Sequence, residues 1–187
     1  MGAIVLVRHG QTEWSASGRH TSRTDLDLTP EGERQAQALA KSLADRSFAA
    51  VFSSPRRRAL RTAELAGLEV TAVVDELAEW DYGEYEGLTT PEIHRSRPDW
   101  LLWTDGCPGG ESPEQVGARL DRALARVRPV LPAGDVALIS HGHALRVLAS
   151  RWIGQPASFG AHLSLGTATL SELGHEHELP TIRSWNA

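Results

Sequence analysis

The sequence nearly lacks cysteine: Cys107 stands alone among 187 residues. No intramolecular disulfide is available, and a zinc site built from several cysteines is excluded. Cys107 reads as a packed or loop thiol. Long apolar runs are missing too. No stretch approaches the roughly 20 apolar residues that a membrane span needs. The run from Met1 to Val7 meets Arg8 and is too short for a signal peptide, so cytoplasmic residence is the expectation. Positive charge is in deficit, with 19 basic against 24 acidic side chains and a net charge of -5. That argues against nucleic acid as the main ligand, because a phosphate backbone calls for a large basic surface. A few converging arginines can still hold a small anion. What remains is an ordinary globular composition, 41% hydrophobic and 23% charged, in a length that suits one domain with one core.

Short apolar runs recur, each followed by turn residues and then a helical pattern. Ala3–Val7, Ala50–Phe52, Val70–Val74 and Val136–Ile139 read as buried strands. Ala36, Leu39, Ala40 and Leu43 repeat with helical spacing behind the cap pair Thr29-Pro30. Ser54-Pro55 reads as the start of a second helix, closed by Gly67. Ser112 and Gln115 have capping-box spacing ahead of an apolar stripe from Val116 to Val127. A further helix runs from about His143 to Trp152. Such alternation predicts an α/β fold of three layers, α/β/α, around a mainly parallel sheet. Thr167–Leu173 and Thr181–Trp185 read as two edge strands. The irregular stretch 79–111, rich in Trp, Tyr, Gly and Pro, reads as a small loop-and-helix cap within a single domain spanning 1–187.

Ligands of open parallel sheets bind beyond the carboxyl ends of the strands. The residues just past the predicted strands are Arg8-His9-Gly10-Gln11-Thr12, then Ser53-Ser54-Pro55-Arg56-Arg57-Arg58, then Asp75, Glu76 and Glu79, and finally Ser140-His141-Gly142-His143. Two histidines, several arginines and a carboxylate thus gather at one edge from four segments. Phosphoryl transfer asks for those groups: a neutral imidazole as nucleophile, planar guanidinium forks for the non-bridging oxygens, and a carboxylic acid to protonate the leaving alkoxide.

Arg8-His9-Gly10-Gln11-Thr12 resembles the Arg-His-Gly-x-Thr signature of the histidine phosphatase (phosphoglycerate mutase-like) superfamily. Further matches follow in order: Thr24-Asp25-Leu26-Asp27-Leu28-Thr29-Pro30-Glu31-Gly32, Ser53-Ser54-Pro55 with Arg58-Ala59, Glu79-Trp80-Asp81-Tyr82-Gly83, Gly110-Glu111-Ser112 and Ser140-His141-Gly142. The resemblance implies a phosphoglycerate mutase-like fold and a metal-independent, cofactor-free phosphatase acting through a phosphohistidine. It makes His9 the nucleophile, Arg8 and Arg58 phosphate ligands, Glu79 the general acid and His141 the second histidine of the phosphate pocket. Gln11, Ser15 and Gly142 would contact substrate; family members commonly carry asparagine where this chain has Ser15. Trp14-Ser15, Trp103-Thr104-Asp105-Gly106-Cys107 and His141-Gly142-His143-Ala144-Leu145-Arg146 look most like the sedoheptulose-1,7-bisphosphatase-type branch, which implies sugar phosphates or bisphosphates as the small phosphorylated partners. A homo-oligomer is compatible with the sequence.

Three other readings compete. A phosphoglycerate mutase would use the same phosphohistidine, but mutases of the superfamily are usually longer, with added basic residues, whereas 79–111 carries only Arg95 and Arg97 as bases. A metallohydrolase could be imagined from His141, His143, His9 and Asp75, against the repulsion of nearby arginines. A non-catalytic phospho-ligand sensor would use the fold alone. Arg56 and Arg57 read as solvent-facing, with the alternative that one of them faces the substrate. His143 is open between pocket and helix surface. His20 and the remaining histidines receive no role.

Overall fold

Both faces of the central strands are apolar, as a sheet covered by helices on both sides requires. In the computed structural model, which describes residues 2–187, β1 (Ile4–Arg8) turns Ile4 and Leu6 to one side and Val5 and Val7 to the other. It lies parallel to β4 (Asp135–Ser140), which is parallel to β2 (Phe48–Ser53), itself paired with β3 (Ala72–Val73). The hairpin of β5 (Leu170–Glu176) and β6 (Leu179–Ser184) joins antiparallel to β1, giving the order β3-β2-β4-β1-β5-β6. The sheet is thus mixed but mainly parallel, as expected. Only β6 of the hairpin is an edge; β5 is paired on both sides.

Helices α2 (Pro30–Leu43) and α3 (Arg57–Leu65) cover one face through Leu39, Leu43, Ala59 and Ala63. Helices α6 (Pro113–Val127) and α7 (Gly142–Trp152) cover the other with Val116, Leu120, Leu145 and Leu148. The short helices α4 (Thr90–His94) and α5 (Leu102–Asp105) lie in 79–111, which buries Trp80, Tyr82, Ile93 and Trp100 in the α6/α7 core. Helix α1 (Glu13–Ser17) directly follows the β1 loop.

Two caps are formed as the sequence predicts. The Thr29 hydroxyl accepts from the Gly32 N–H at 3.0 Å, and Ser112 with Gln115 makes a capping box. Two expectations are corrected. Strand β3 is two residues long, because Thr71 meets Val51 partly through its hydroxyl, which accepts the Val51 N–H at 3.0 Å. Ser54 does not cap α3. The cap position falls on Arg56, which makes no side-chain bond there, and the Ser54 hydroxyl faces His141 instead.

Candidate active site

Residues that leave adjacent parallel strands at the same level stay neighbours. Arg8 and Ser140 are register partners, so His9 and His141 emerge side by side, with ring centroids 5.0 Å apart and planes at 64°. The ladder continues past the strand ends: the His9 N–H donates to the Ser140 carbonyl at 3.1 Å and the Ser54 N–H to that of Ile139 at 2.9 Å. Both imidazoles are buried on backbone that cannot easily shift.

Their hydrogen bonds fix their tautomers. His9 Nδ1 lies 2.7 Å from the Gly10 carbonyl. A carbonyl only accepts, so Nδ1 carries the proton and the Nε2 lone pair is free. That atom has no protein partner and is not sealed from solvent. In His141 the order reverses. The Arg58 Nε–H donates to Nδ1 at 3.2 Å, so Nε2 holds the proton and donates to the Ser54 hydroxyl at 2.7 Å. Burial foremost, then the charges of Arg58 and Arg8, hold the His9 pKa well below its usual 6.5. Burial and then Arg58 and His9 do the same to His141. Both rings are neutral at physiological pH.

The arginines beside them differ. Arg8 donates from Nη1 to the Leu165 carbonyl, but its buried Nε–H has no acceptor. Its Nη2 also lacks a protein acceptor but is not sealed from solvent, so this is the nitrogen that can meet an anion in the cavity. Arg8 fits because Gly142 has no side chain: a Cβ there would lie 3.2 Å from the Arg8 Cζ. Arg58 is almost fully buried and binds the carbonyls of Thr24 (3.1 Å), Thr21 (3.2 Å) and Ser22 (3.4 Å). One N–H on its Nη1 is left over.

Glu79 reaches the first turn of α7. Its Oε1 accepts the Trp80 and Ala144 N–H groups, both at 2.8 Å, and Oε2 accepts only that of His143 at 3.1 Å. The carboxylate therefore satisfies helix N–H groups that would otherwise be orphans and complements the helix dipole, while Oε2 keeps a lone pair free. Arg8, His9, Ser15, Glu79 and Gly142 all line one cavity of about 220 Å³.

A neutral imidazole with a free lone pair, an unmatched buried guanidinium and a carboxylate on one cavity are a phosphoryl-transfer set, and the comparisons with known proteins agree. The sequence profile of the histidine phosphatase superfamily (branch 1) matches residues 4–187. This chain belongs to that superfamily. It is 47% identical over 176 residues to an acid phosphatase of Mycobacterium tuberculosis, covering 93% of this chain and 87% of the relative. It is 40% identical over 182 residues to sedoheptulose 1,7-bisphosphatase of Saccharomyces cerevisiae, covering 80% and 67%. The solved mycobacterial glucosyl-3-phosphoglycerate phosphatase with VO3 superposes with a TM-score of 0.88 at 30% identity, over 100% of both chains. With its phosphatase relatives, the chain is a phosphoric monoester hydrolase of this superfamily.

The remaining predicted residues of this histidine phosphatase take mixed positions. Ser15 lines the cavity, yet its hydroxyl is engaged in a capping box with Thr12. The Gln11 side-chain oxygen accepts from the Thr29 hydroxyl at 3.0 Å, at the foot of α2. Arg57 pairs with Asp27 at the surface as expected. Arg56 is corrected: it is half-buried, with an Nε sealed from solvent and unpartnered. The metal reading loses two of its four ligands. Both His141 nitrogens are engaged by Ser54 and Arg58, Asp75 is exposed, and among the described residues no three His, Cys, Asp or Glu side chains converge for a metal. No helix of the described residues is long and apolar enough to cross a membrane.

Among the wall residues that sequence reasoning gave no role are Arg19, His20, Thr21 and Arg146. The loop around His20 is aperiodic and offered no signal. Arg146 stands three residues after His143, on the same face of α7, and that spacing could have found it. His143 itself faces the pocket, its Nδ1 2.5 Å from the Tyr82 hydroxyl.

Proposed function

We propose that this enzyme hydrolyses small phosphorylated metabolites, sugar phosphates or bisphosphates, through a phosphohistidine on His9. The observation that carries the reading is the uncommitted Nε2 lone pair of His9 on the same cavity as the Arg8 guanidinium, whose Nη2 has no protein acceptor and is not sealed from solvent. The His9 Nε2 forms a bond to phosphorus as the phosphorus–oxygen ester bond breaks. The Arg8 Nη2, which has no protein acceptor and is not sealed from solvent, and the spare Arg58 Nη1 N–H are the donors offered to the phosphoryl oxygens, whose charge spreads in the transition state. Glu79, entering the step with a proton on Oε2, gives that proton to the departing alkoxide. Its carboxylate then takes one from the water that attacks phosphorus, returning the electron pair to Nε2. His141 orients the Arg58 guanidinium and walls the site behind His9. Gly142 clears space for Arg8, and Ser15 and Gln11 shape the mouth and its base. No step needs a metal or cofactor. Sugar phosphates are favoured by the kinship with sedoheptulose 1,7-bisphosphatase and glucosyl-3-phosphoglycerate phosphatase. Residues 1–187 would act as one domain, with 79–111 as a cap, in the cytoplasm and without nucleic acid.

Quenching with phosphorus-labelled substrate in denaturing alkali should trap label on the protein in acid-labile, base-stable form. His9→Ala should abolish it and lower turnover by about a thousandfold or more. Label that survives acid and is lost in base would point to a hydroxyl nucleophile and end this reading.

A further inference from the structure

Glu79 sits on neither a strand nor an α-helix, just after a 3₁₀ turn, Asp75–Leu77. Side chains hold its stretch of backbone instead. The carbonyls of Glu76, Ala78 and Glu79 accept from Arg119 at 2.7, 2.9 and 3.3 Å, and that of Leu77 accepts from the Ser140 hydroxyl at 2.6 Å. Four successive carbonyls are thus met by side-chain donors.

Arg119 uses its whole fork here. Its Nε and Nη2 each donate to one Glu111 oxygen at 2.7 Å. With the three carbonyl bonds, all five N–H groups of the guanidinium are engaged. Glu111 holds the other side of Glu79. Its Oε2 also accepts the Asp81 N–H at 2.9 Å, its own N–H donates to the Asp81 carbonyl at 2.9 Å, and its carbonyl accepts the Trp80 indole N–H at 3.0 Å. One ion pair therefore pins the backbone before and after Glu79.

The pair stands on a rigid support and away from the substrate. Arg119 lies about two turns into α6, between the core residues Val116 and Leu120. Arg119 and Glu111 line a second cavity, of about 220 Å³, which among the described residues shares only Glu79 with the catalytic one. Their side chains are 14% and 19% exposed. Partial burial of an ion pair is a weak source of stability, because desolvation offsets the attraction. What this arrangement supplies is geometry: three carbonyls and a carboxylate met at once need a planar fork, which a simple ammonium lacks.

We propose that Arg119, braced by Glu111, is a positioning residue of the reaction, setting the backbone of Glu79 so that Oε2 meets the departing alkoxide. The inference rests on the reading of Glu79 as the proton donor and adds the residues that aim it.

The test compares kcat/KM for phenyl phosphate and p-nitrophenyl phosphate, which are similar in shape but differ in how much their phenolates need a proton to leave. In Arg119→Lys, kcat/KM for phenyl phosphate should fall about 10- to 100-fold, the effect of a displacement of about 1 Å, and that for p-nitrophenyl phosphate by less than about threefold. Inhibition by vanadate should be unchanged, since the phosphate donors are untouched. In the Glu79→Gln background, adding Arg119→Lys should widen the gap between the two substrates no further, because both changes act through one carboxylate. Equal losses on the two esters, no loss on either, or a selective loss that persists in the Glu79→Gln background would overturn the proposal. Should Arg119→Lys not fold, Glu111→Gln, which keeps the arginine, is read by the same ratio. If neither folds, the pair serves folding and the proposal falls. A Glu79→Gln variant that is selective for phenyl phosphate beside an Arg119→Lys variant that is not refutes this inference alone. A Glu79→Gln variant that slows both esters alike refutes the proton-donor reading beneath it as well.

Discussion

Replacing Ser54 with alanine deletes one oxygen and strands one proton. The Ser54 hydroxyl is fully buried and accepts from His141 Nε2 at 2.7 Å and from the Arg56 N–H at 3.3 Å. Without it the buried His141 N–H has no acceptor, at a cost of about 1–3 kcal/mol. In a domain of this size that lowers Tm by about 2–4 °C per kcal/mol. A catalytic cost comes with it. His141 can then move its proton to Nδ1, where it opposes the Arg58 Nε–H 3.2 Å away, and the guanidinium loses its bearing on the phosphoryl group. We expect kcat for p-nitrophenyl phosphate to fall about 10- to 100-fold, which is about 1.4–2.8 kcal/mol of barrier. Thermal unfolding and steady-state kinetics measure the two effects, and nitrogen-15 NMR of the histidine rings reads the tautomer. A variant of full stability and unchanged kcat would refute the chain from Ser54 through His141 to Arg58. A destabilised variant with unchanged kcat would confine Ser54 to folding.

Other outcomes follow from the same geometry. Glu79→Gln should slow cleavage of a sugar phosphate by about 10²–10⁴-fold, but hardly touch the p-nitrophenolate burst, since that leaving group needs no proton. Equal slowing of both would dismiss Glu79 as the acid. His9, His141 and His143 all have folded pKa values held well below 6.5 by burial first of all. Below about pH 6.5 the unfolded chain therefore binds more protons than the folded one. Stability should fall as pH drops through that range, by up to about 1.4 kcal/mol per pH unit for each ring. Denaturant unfolding at pH 7 and pH 5.5 checks this, and an unchanged contribution in the His143→Phe variant would count against it.

The strand-end residues were legible because parallel strands in register bring their carboxyl ends together, so locating β1 and β4 was nearly enough to place His9 beside His141. Glu79 came from the signature resemblance; its seat on α7 was invisible, since it depends on a helix that begins 63 residues later, at Gly142. Ser54 shows how local rules lose to tertiary demand. Serine before proline reads as a helix cap, yet a buried imidazole proton outbid the free N–H groups of α3, which water can satisfy. His20 lies in a loop whose conformation is set by long-range bonds, among them its N–H to the Leu88 carbonyl at 2.9 Å, and no periodicity announces such contacts.

Arg58 has one further consequence. Its grip on the carbonyls of Thr21, Ser22 and Thr24 stiffens the loop that carries His20 and Thr21 into the cavity wall. The loop is therefore ordered when the chain folds, and a ligand arriving later finds a wall that is already set. Binding a phosphate analogue such as vanadate should then show a heat-capacity change set by the small area of the cavity alone, with no added contribution from folding of the loop.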